Sequence, residues 1–149
     1  MSLRAIPLTV FGFLFYNVIV LFSGLSSADT TTDGAAAARS LLGTEIFSLP
    51  MMSGALWSFT WGDLILVVML SFLFIEILKA TYTSTASLVD HGLSMLVFIA
   101  ALVEFLLVPQ ASTSVFFLIL VCLLIDVIAG FTIGIRVAKR DIGFGSGDQ

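Results

Sequence analysis

Short polar segments divide an otherwise apolar chain into four long apolar stretches. These stretches cover residues 5–24, 61–81, 91–108 and 112–136 of the 149-residue chain. A helix that crosses the hydrocarbon core of a bilayer needs about 20 mostly apolar residues, because each residue adds about 1.5 Å of length. The pattern therefore predicts an all-α membrane protein, in which residues 1–149 form a single polytopic domain with four transmembrane helices.

Two of the four stretches, the first and the third, are less certain from the pattern alone to be transmembrane helices of ordinary length. The first follows Arg4 and is followed by small residues at positions 26–28, as in a signal peptide. It is long for the apolar core of a signal peptide, so we expect it to be retained as the first helix. The third is short and ends before Pro109, and residues 108–112 are expected to form a tight outer turn into the fourth.

Residues 25–60 are the one sizeable segment outside these stretches, and we expect them to form an outer loop. The polar run SSADTTTDG is typical of a turn-rich loop. The following AAAARSLL predicts a short interfacial helix that begins at Asp33 or Gly34 and ends at Gly43. Thirty-odd residues of this kind are too few for a stable soluble domain of their own.

The end of this loop, EIFSLPMMSGALWSFTW, is apolar again and leads into the second stretch. We interpret it as an interfacial segment, with Trp57 and Trp61 as anchors at the level of the lipid headgroups. The alternative is a docking surface or lid, in which Met51 and Met52 would make adaptable contacts.

The distribution of charge predicts the orientation. Five of the six basic residues lie before the first stretch, at the end of the second, or after the fourth: Arg4, Lys79, Arg136, Lys139 and Arg140. The outer loop and its edge hold only Arg39 against four acidic residues. Because basic residues are enriched on the cytoplasmic side, we expect both termini, including the tail at residues 137–149, to be cytoplasmic. The compact, simple topology favours the inner (plasma) membrane of a bacterium.

Composition excludes several classes of function. Only 11% of the residues are charged, whereas a soluble domain carries about 25%. One cysteine and one histidine exclude an internal disulfide framework and a cysteine or histidine metal cluster within one chain. There is no basic stripe for nucleic acid, no nucleophile–base motif and no phosphate loop. We therefore expect no enzymatic activity, no metal and no cofactor.

Three acidic residues lie inside the predicted helices: Glu76, Glu104 and Asp126. Counting about 1.5 Å per residue places Asp126 near the middle of the bilayer, with Glu104 toward the outside and Glu76 toward the cytoplasm. Asn17 falls at the depth of Glu104, and Ser71 at that of Asp126. An acid at the bilayer centre costs about 3 kcal/mol or more, so such side chains usually face the bundle interior or a wet cavity.

Two hypotheses explain these polar residues. In the first they form a polar core, with Asn17 bonded to Glu104, Asp126 to Ser71 or a backbone carbonyl, and Glu76 paired with a nearby lysine, Lys79. In the second, the acids are a staggered series that relays protons or binds a cation.

The fourth stretch carries a ridge of small residues. Cys122, Asp126, Gly130 and Gly134 recur every four positions and so share one helix face. The GxxxG pair in this ridge predicts close helix packing, because small residues let another helix approach. At the start of the third stretch, Asp90 is expected to cap the helix.

His91, next to that cap, is interpreted as an interface residue, with a cytoplasmic pH sensor as the alternative. The sequence thus predicts a non-enzymatic membrane subunit or accessory protein. Its expected partners are the lipid bilayer and either copies of itself or other membrane subunits. The alternative is a small proton- or cation-coupled carrier or channel that uses the intramembrane carboxylates.

Overall fold

The computed structural model describes residues 6–26, 34–81 and 85–144 of the chain. Within them the elements are, in chain order, α1 (Thr9–Ser26), α2 (Gly34–Leu42), β1 (Glu45–Pro50), β2 (Leu56–Thr60), α3 (Trp61–Ala80), α4 (Thr85–Leu107), a 3-10 turn (Pro109–Ala111) and α5 (Ser114–Phe144). The expectations for Arg4, for residues 27–33 and for the last five residues lie outside these ranges.

Among the described residues, three helices are long and apolar enough to cross a membrane. These candidate spans are Trp61–Ala80 in α3, Asp90–Leu107 in α4 and Ser114–Arg136 in α5. The first helix, α1, carries a shorter apolar run, Thr9–Val20. The chain is therefore a mostly helical membrane protein with three candidate spans, and the prediction of four is not confirmed.

The last two helices are longer than the apolar pattern predicted. Since α4 begins at Thr85, Asp90 lies in the second turn of the helix, and the prediction that it caps the helix is wrong. α5 runs on to Phe144, so residues 137–144 continue a helix that was predicted to end at residue 136. The length of an apolar run indicates how much of a helix lies in hydrocarbon. The helix itself can continue into polar sequence until its backbone is interrupted.

The outer loop contains an antiparallel hairpin, which corrects the all-α prediction. Strand β1 pairs with β2 so that Phe47 lies opposite Phe59 and Leu49 opposite Trp57. Side chains alternate between the two faces of a strand, so these four residues form one apolar surface, called the aromatic face below. Gly54 has a positive φ of 83° in the connecting turn, a backbone conformation that favours glycine.

The start of α3 is fixed by the end of the hairpin. Thr60 and Asp63 form a reciprocal capping box, in which each side chain accepts a hydrogen bond from the other residue's backbone N–H. The Trp61 N–H also donates to the Thr44 carbonyl at 3.1 Å. The hairpin is therefore joined rigidly to the helix that follows it.

The helices pack around an apolar core that includes Tyr16, Ile65, Met69, Phe116, Ile119 and Leu123. One end of the bundle, called the hairpin end, carries the hairpin, α2 and the 3-10 turn. There the Tyr16 hydroxyl donates to the Gln110 carbonyl at 3.0 Å, and Arg39 donates to the Ser112 carbonyl at 3.2 Å. The opposite end, where α3 finishes, is called the lysine end because Lys79 lies there.

Candidate functional site

Three charged side chains meet at the lysine end: Glu76, Lys79 and Asp90, called the lysine cluster below. The Lys79 Nζ lies 2.7 Å from Glu76 Oε1 and 2.9 Å from Asp90 Oδ2. Both acids are buried, with 1% and 2% of their surface exposed. A buried acid is tolerated only when a charge or a hydrogen bond compensates it, so Lys79 holds α3 and α4 together here.

The segment before α1 closes the lysine cluster. The Leu8 N–H donates to Glu76 Oε2 at 2.8 Å, and Lys79 Nζ donates to the Ile6 carbonyl at 3.1 Å. With Glu76, Asp90 and Ile6 around it, the ammonium group has one neighbour for each of its three N–H donors. The sequence pattern indicated the pair on α3 but missed Asp90 and this backbone segment.

Asp126 lies in a second polar group, between α1, α4 and α5. The Thr9 hydroxyl donates to Asp126 Oδ2 at 2.8 Å, and both residues are buried. Ser94 and His91 of α4 lie beside the same carboxylate. The Ser94 Oγ is buried but does not complete a hydrogen bond of good geometry there.

Ser71 does not join this group, which corrects its expected pairing with Asp126. Its side chain is exposed, and its hydroxyl donates to the Val67 carbonyl of its own helix at 2.8 Å. The inward stripe of α3 is Met69, Leu73 and Glu76, and a position two residues after Met69 points to the far side. Equal depth in a bilayer does not place two side chains on facing sides of their helices.

Glu104 and Asn17 form a separate pair. The Asn17 Nδ2 donates to Glu104 Oε2 at 3.3 Å and to the Phe13 carbonyl at 3.3 Å, and both side chains are partly exposed. Glu104 follows Asp90 by 14 positions in α4, which corresponds to about 21 Å along the helix. The three acids therefore belong to three local arrangements with different partners.

The small-residue ridge of α5 faces α4. Cys122 is buried and has a free thiol. At Gly130, an added Cβ would clash with Nδ1 of His91 and lie 2.7 Å from Cε1 of that ring. At Gly134, the nearest atom of His91 would be 3.9 Å away, an ordinary contact. The space above Gly130 is thus filled by a buried imidazole of the same chain.

We expect Gly130→Ala to destabilise the fold by about 1–3 kcal/mol, the usual effect of overpacking a core. Gly134→Ala is the matched control: it makes the same chemical change one turn further along α5, with room for the methyl group. Unfolding in detergent, followed by circular dichroism, measures both. Equal stability of the two variants would contradict the close approach of His91 to Gly130.

The two predicted interface anchors lie at the hairpin end. Trp57 belongs to the aromatic face and is 47% exposed, and its ring lies 6.3 Å from that of Phe47. Trp61 is the first residue of α3 and is partly buried. In the turn between the strands, Met52 is fully exposed.

Neither a metal site in the described residues nor similarity to known proteins assigns a function to this chain. Among residues 6–26, 34–81 and 85–144, no group of three or more His, Cys, Asp or Glu side chains is placed to hold a metal ion. No protein family matches the chain, and neither a curated protein nor a solved structure is significantly similar to it. Its geometry offers two features, a buried network of charges at one end and an exposed apolar hairpin at the other.

Proposed function

We propose that the chain is a non-enzymatic integral membrane subunit or accessory protein, which packs with copies of itself or with other subunits of a larger membrane complex. The observation that carries this proposal is the exposed aromatic face of the hairpin. Phe47, Leu49 and Trp57 are each between 44% and 48% exposed. Exposed apolar patches of this kind mark interaction sites.

The hairpin favours a protein partner for two reasons. A single two-stranded hairpin is at best marginally stable in water, so a surface laid against it would stabilise it. Between residues 45 and 61 the only charged side chain is Glu45, which accepts a hydrogen bond from Ser58 at 2.8 Å. The partner we propose is therefore an apolar surface of a neighbouring membrane protein, at the level where the bundle ends.

The interior of the bundle supports the same function. Glu104 bonds to Asn17 and Asp126 bonds to Thr9, so these two acids are held by partners within the chain. Polar contacts of this kind fix the positions of membrane helices relative to each other. They favour a polar core over a continuous pathway through a single chain.

The proposal includes the topology. We propose that α1 is a fourth span, that both termini are cytoplasmic, and that the protein lies in the inner (plasma) membrane. The 18 residues of α1 correspond to about 27 Å, close to the 30 Å of a hydrocarbon core. Thr9 contacts α5 through Asp126, and seven residues further on, about 10 Å along the helix, Tyr16 contacts the 3-10 turn, so this part of α1 extends along the bundle.

Native electrophoresis of the full chain from mild detergent tests the aromatic face. We expect the double substitution Phe47→Ser/Trp57→Ser to release the chain from its complex, because it removes two apolar side chains from the contact surface. Ser48→Ala is the matched control, since Ser48 pairs with Ser58 on the other face of the same strands.

A complex of unchanged size in the doubly substituted chain would contradict this proposal. The aromatic face would then lie against lipid headgroups, as aromatic belts do. A chain that migrates as a monomer without any substitution would contradict it as well.

The second candidate is a small proton- or cation-coupled carrier or channel. The observation that favours it is the concentration of charge at the lysine end, where three acids in two neighbouring groups are buried with a single lysine: Glu76, Asp90 and Asp126 with Lys79. Ionisable groups inside membranes often mark the pathway of a proton or an ion.

A further inference from the structure

The carboxyl groups of Glu76 and Asp90 lie unusually close together. Both contact the same nitrogen atom, Nζ of Lys79, and the two carboxyl groups are within hydrogen-bonding reach of each other. Ionised carboxylates only accept hydrogen bonds, so two of them cannot bond to each other. Two like charges at this range in a buried site also repel each other.

Each of these carboxyl groups has one oxygen without a hydrogen bond. These atoms, Oε1 of Glu76 and Oδ1 of Asp90, are buried. Oε1 has the Lys79 ammonium as an ion-pair partner at 2.7 Å, so among the described residues Oδ1 of Asp90 has neither a hydrogen bond nor an ion pair. Buried polar atoms nearly always have a partner, and a proton held between the two acids would supply one.

The net charge of the lysine cluster also favours a bound proton. With both acids ionised, the lysine cluster has two negative charges and one positive charge, and a net charge in a buried site is costly. One added proton makes it neutral. We propose that Glu76 and Asp90 are a proton-binding site that holds one proton between two carboxyl groups.

Binding and release of this proton are simple to describe. A proton forms an O–H bond to one carboxylate oxygen, and that O–H donates to an oxygen of the other acid. Release restores two carboxylates beside Lys79 and a net charge of minus one. The proton is therefore shared by the two carboxyl groups and does not belong to one residue alone.

The surroundings complete the site. On the α1 side the Leu8 N–H donates to Glu76. On α4 and α5 the nearest titratable groups are His91 and Asp126, which lie beside each other. Lys79 is 25% exposed and so connects the cluster to the outside of the bundle. This proton-binding site does not rest on the proposed subunit function, because a shared proton neutralises the lysine cluster whether or not the proton moves through the protein.

Infrared spectroscopy of the full chain in phosphatidylcholine vesicles tests the shared proton. A protonated carboxyl group gives a C=O band that shifts when water is replaced by deuterium oxide. We expect the Glu76→Gln and Asp90→Asn variants each to lose the same band at neutral pH. In either variant the remaining acid pairs with Lys79 and has no need of a proton.

Glu104→Gln and Asp126→Asn are the controls, and both should keep this band, because these acids lie outside the pair. Loss of two different bands from Glu76→Gln and Asp90→Asn would mean two separately protonated acids. Loss of no band would mean that both are ionised. Either result overturns the proposal.

The stability of the variants is part of the same test. An amide keeps the shape of a protonated carboxyl group and can donate to the other acid, so at least one of the two variants must fold. Failure of both to fold would also overturn the proposal.

Discussion

Replacement of Lys79 by methionine should destabilise the folded chain by about 3–5 kcal/mol, the usual result of removing one partner from a buried ion pair. The substitution keeps the apolar stem of the side chain but removes the charged ammonium group at its end. Glu76 and Asp90 would then be buried without a cation, and the Ile6 carbonyl would lose its donor. The expected loss is large because three contacts depend on one nitrogen atom.

Unfolding of the purified variant in detergent, measured at neutral and at acidic pH, checks this expectation. The loss should shrink at acidic pH, where protonation removes the charges that Lys79 balances in the native chain. Arg136→Met is the control: Arg136 is an exposed base on α5, and its substitution should change stability by about 0.5 kcal/mol or less. Equal effects of the two substitutions would show that the lysine cluster does not stabilise the fold.

Phe116→Ala should have a comparable effect, about 3–5 kcal/mol, because it empties the centre of the apolar core. The Phe116 side chain is fully buried, and its ring lies 4.9 Å from that of Tyr16 and 6.2 Å from that of Phe105. Lipid cannot enter this space, so the cavity left by the substitution should destabilise the fold in a membrane as it does in water.

Phe117→Ala is the matched control for Phe116, since it removes the same side chain from the next position of α5, where 49% of it is exposed. We expect the control to lose little stability, because in the membrane lipid chains replace the missing ring. The two variants are compared by the denaturant needed to unfold them in the same detergent. A control as unstable as Phe116→Ala would place the exposed face of α5 against another protein.

The two ends of the bundle differ in chemistry. At the lysine end, buried charges join α3, α4 and the segment before α1. At the hairpin end, an apolar sheet projects from the first turn of α3. The first arrangement is the proton-binding site that we propose, and the second is the contact surface that we propose.

The sequence by itself determined the membrane class and most of the helices. Runs of apolar residues such as 61–80 predict helices because only a helix bonds its own backbone within hydrocarbon. The short helix after Gly34 and the tight turn at Pro109 also followed from local signals, the first from its alanines and the second from proline. These features depend on neighbours within a few positions, which a sequence displays directly.

The local sequence pattern did not predict the hairpin. Residues 45–60 alternate imperfectly, because a bulge between Glu45 and Phe47 shifts the register and Pro50 ends the first strand. The pairing of two strands depends on contacts between separate segments, so apolarity alone could not distinguish a strand pair from an interfacial segment.

Only the tertiary structure decided which polar groups meet. The sequence indicated that Lys79 can reach Glu76, because they are three positions apart on one helix. It could not indicate that Asp90 reaches the same nitrogen, or that Thr9 rather than Ser71 bonds to Asp126. Depth along a helix follows from counting residues. The facing side of each helix depends on its rotation within the bundle, which is set by the packing of all the helices together.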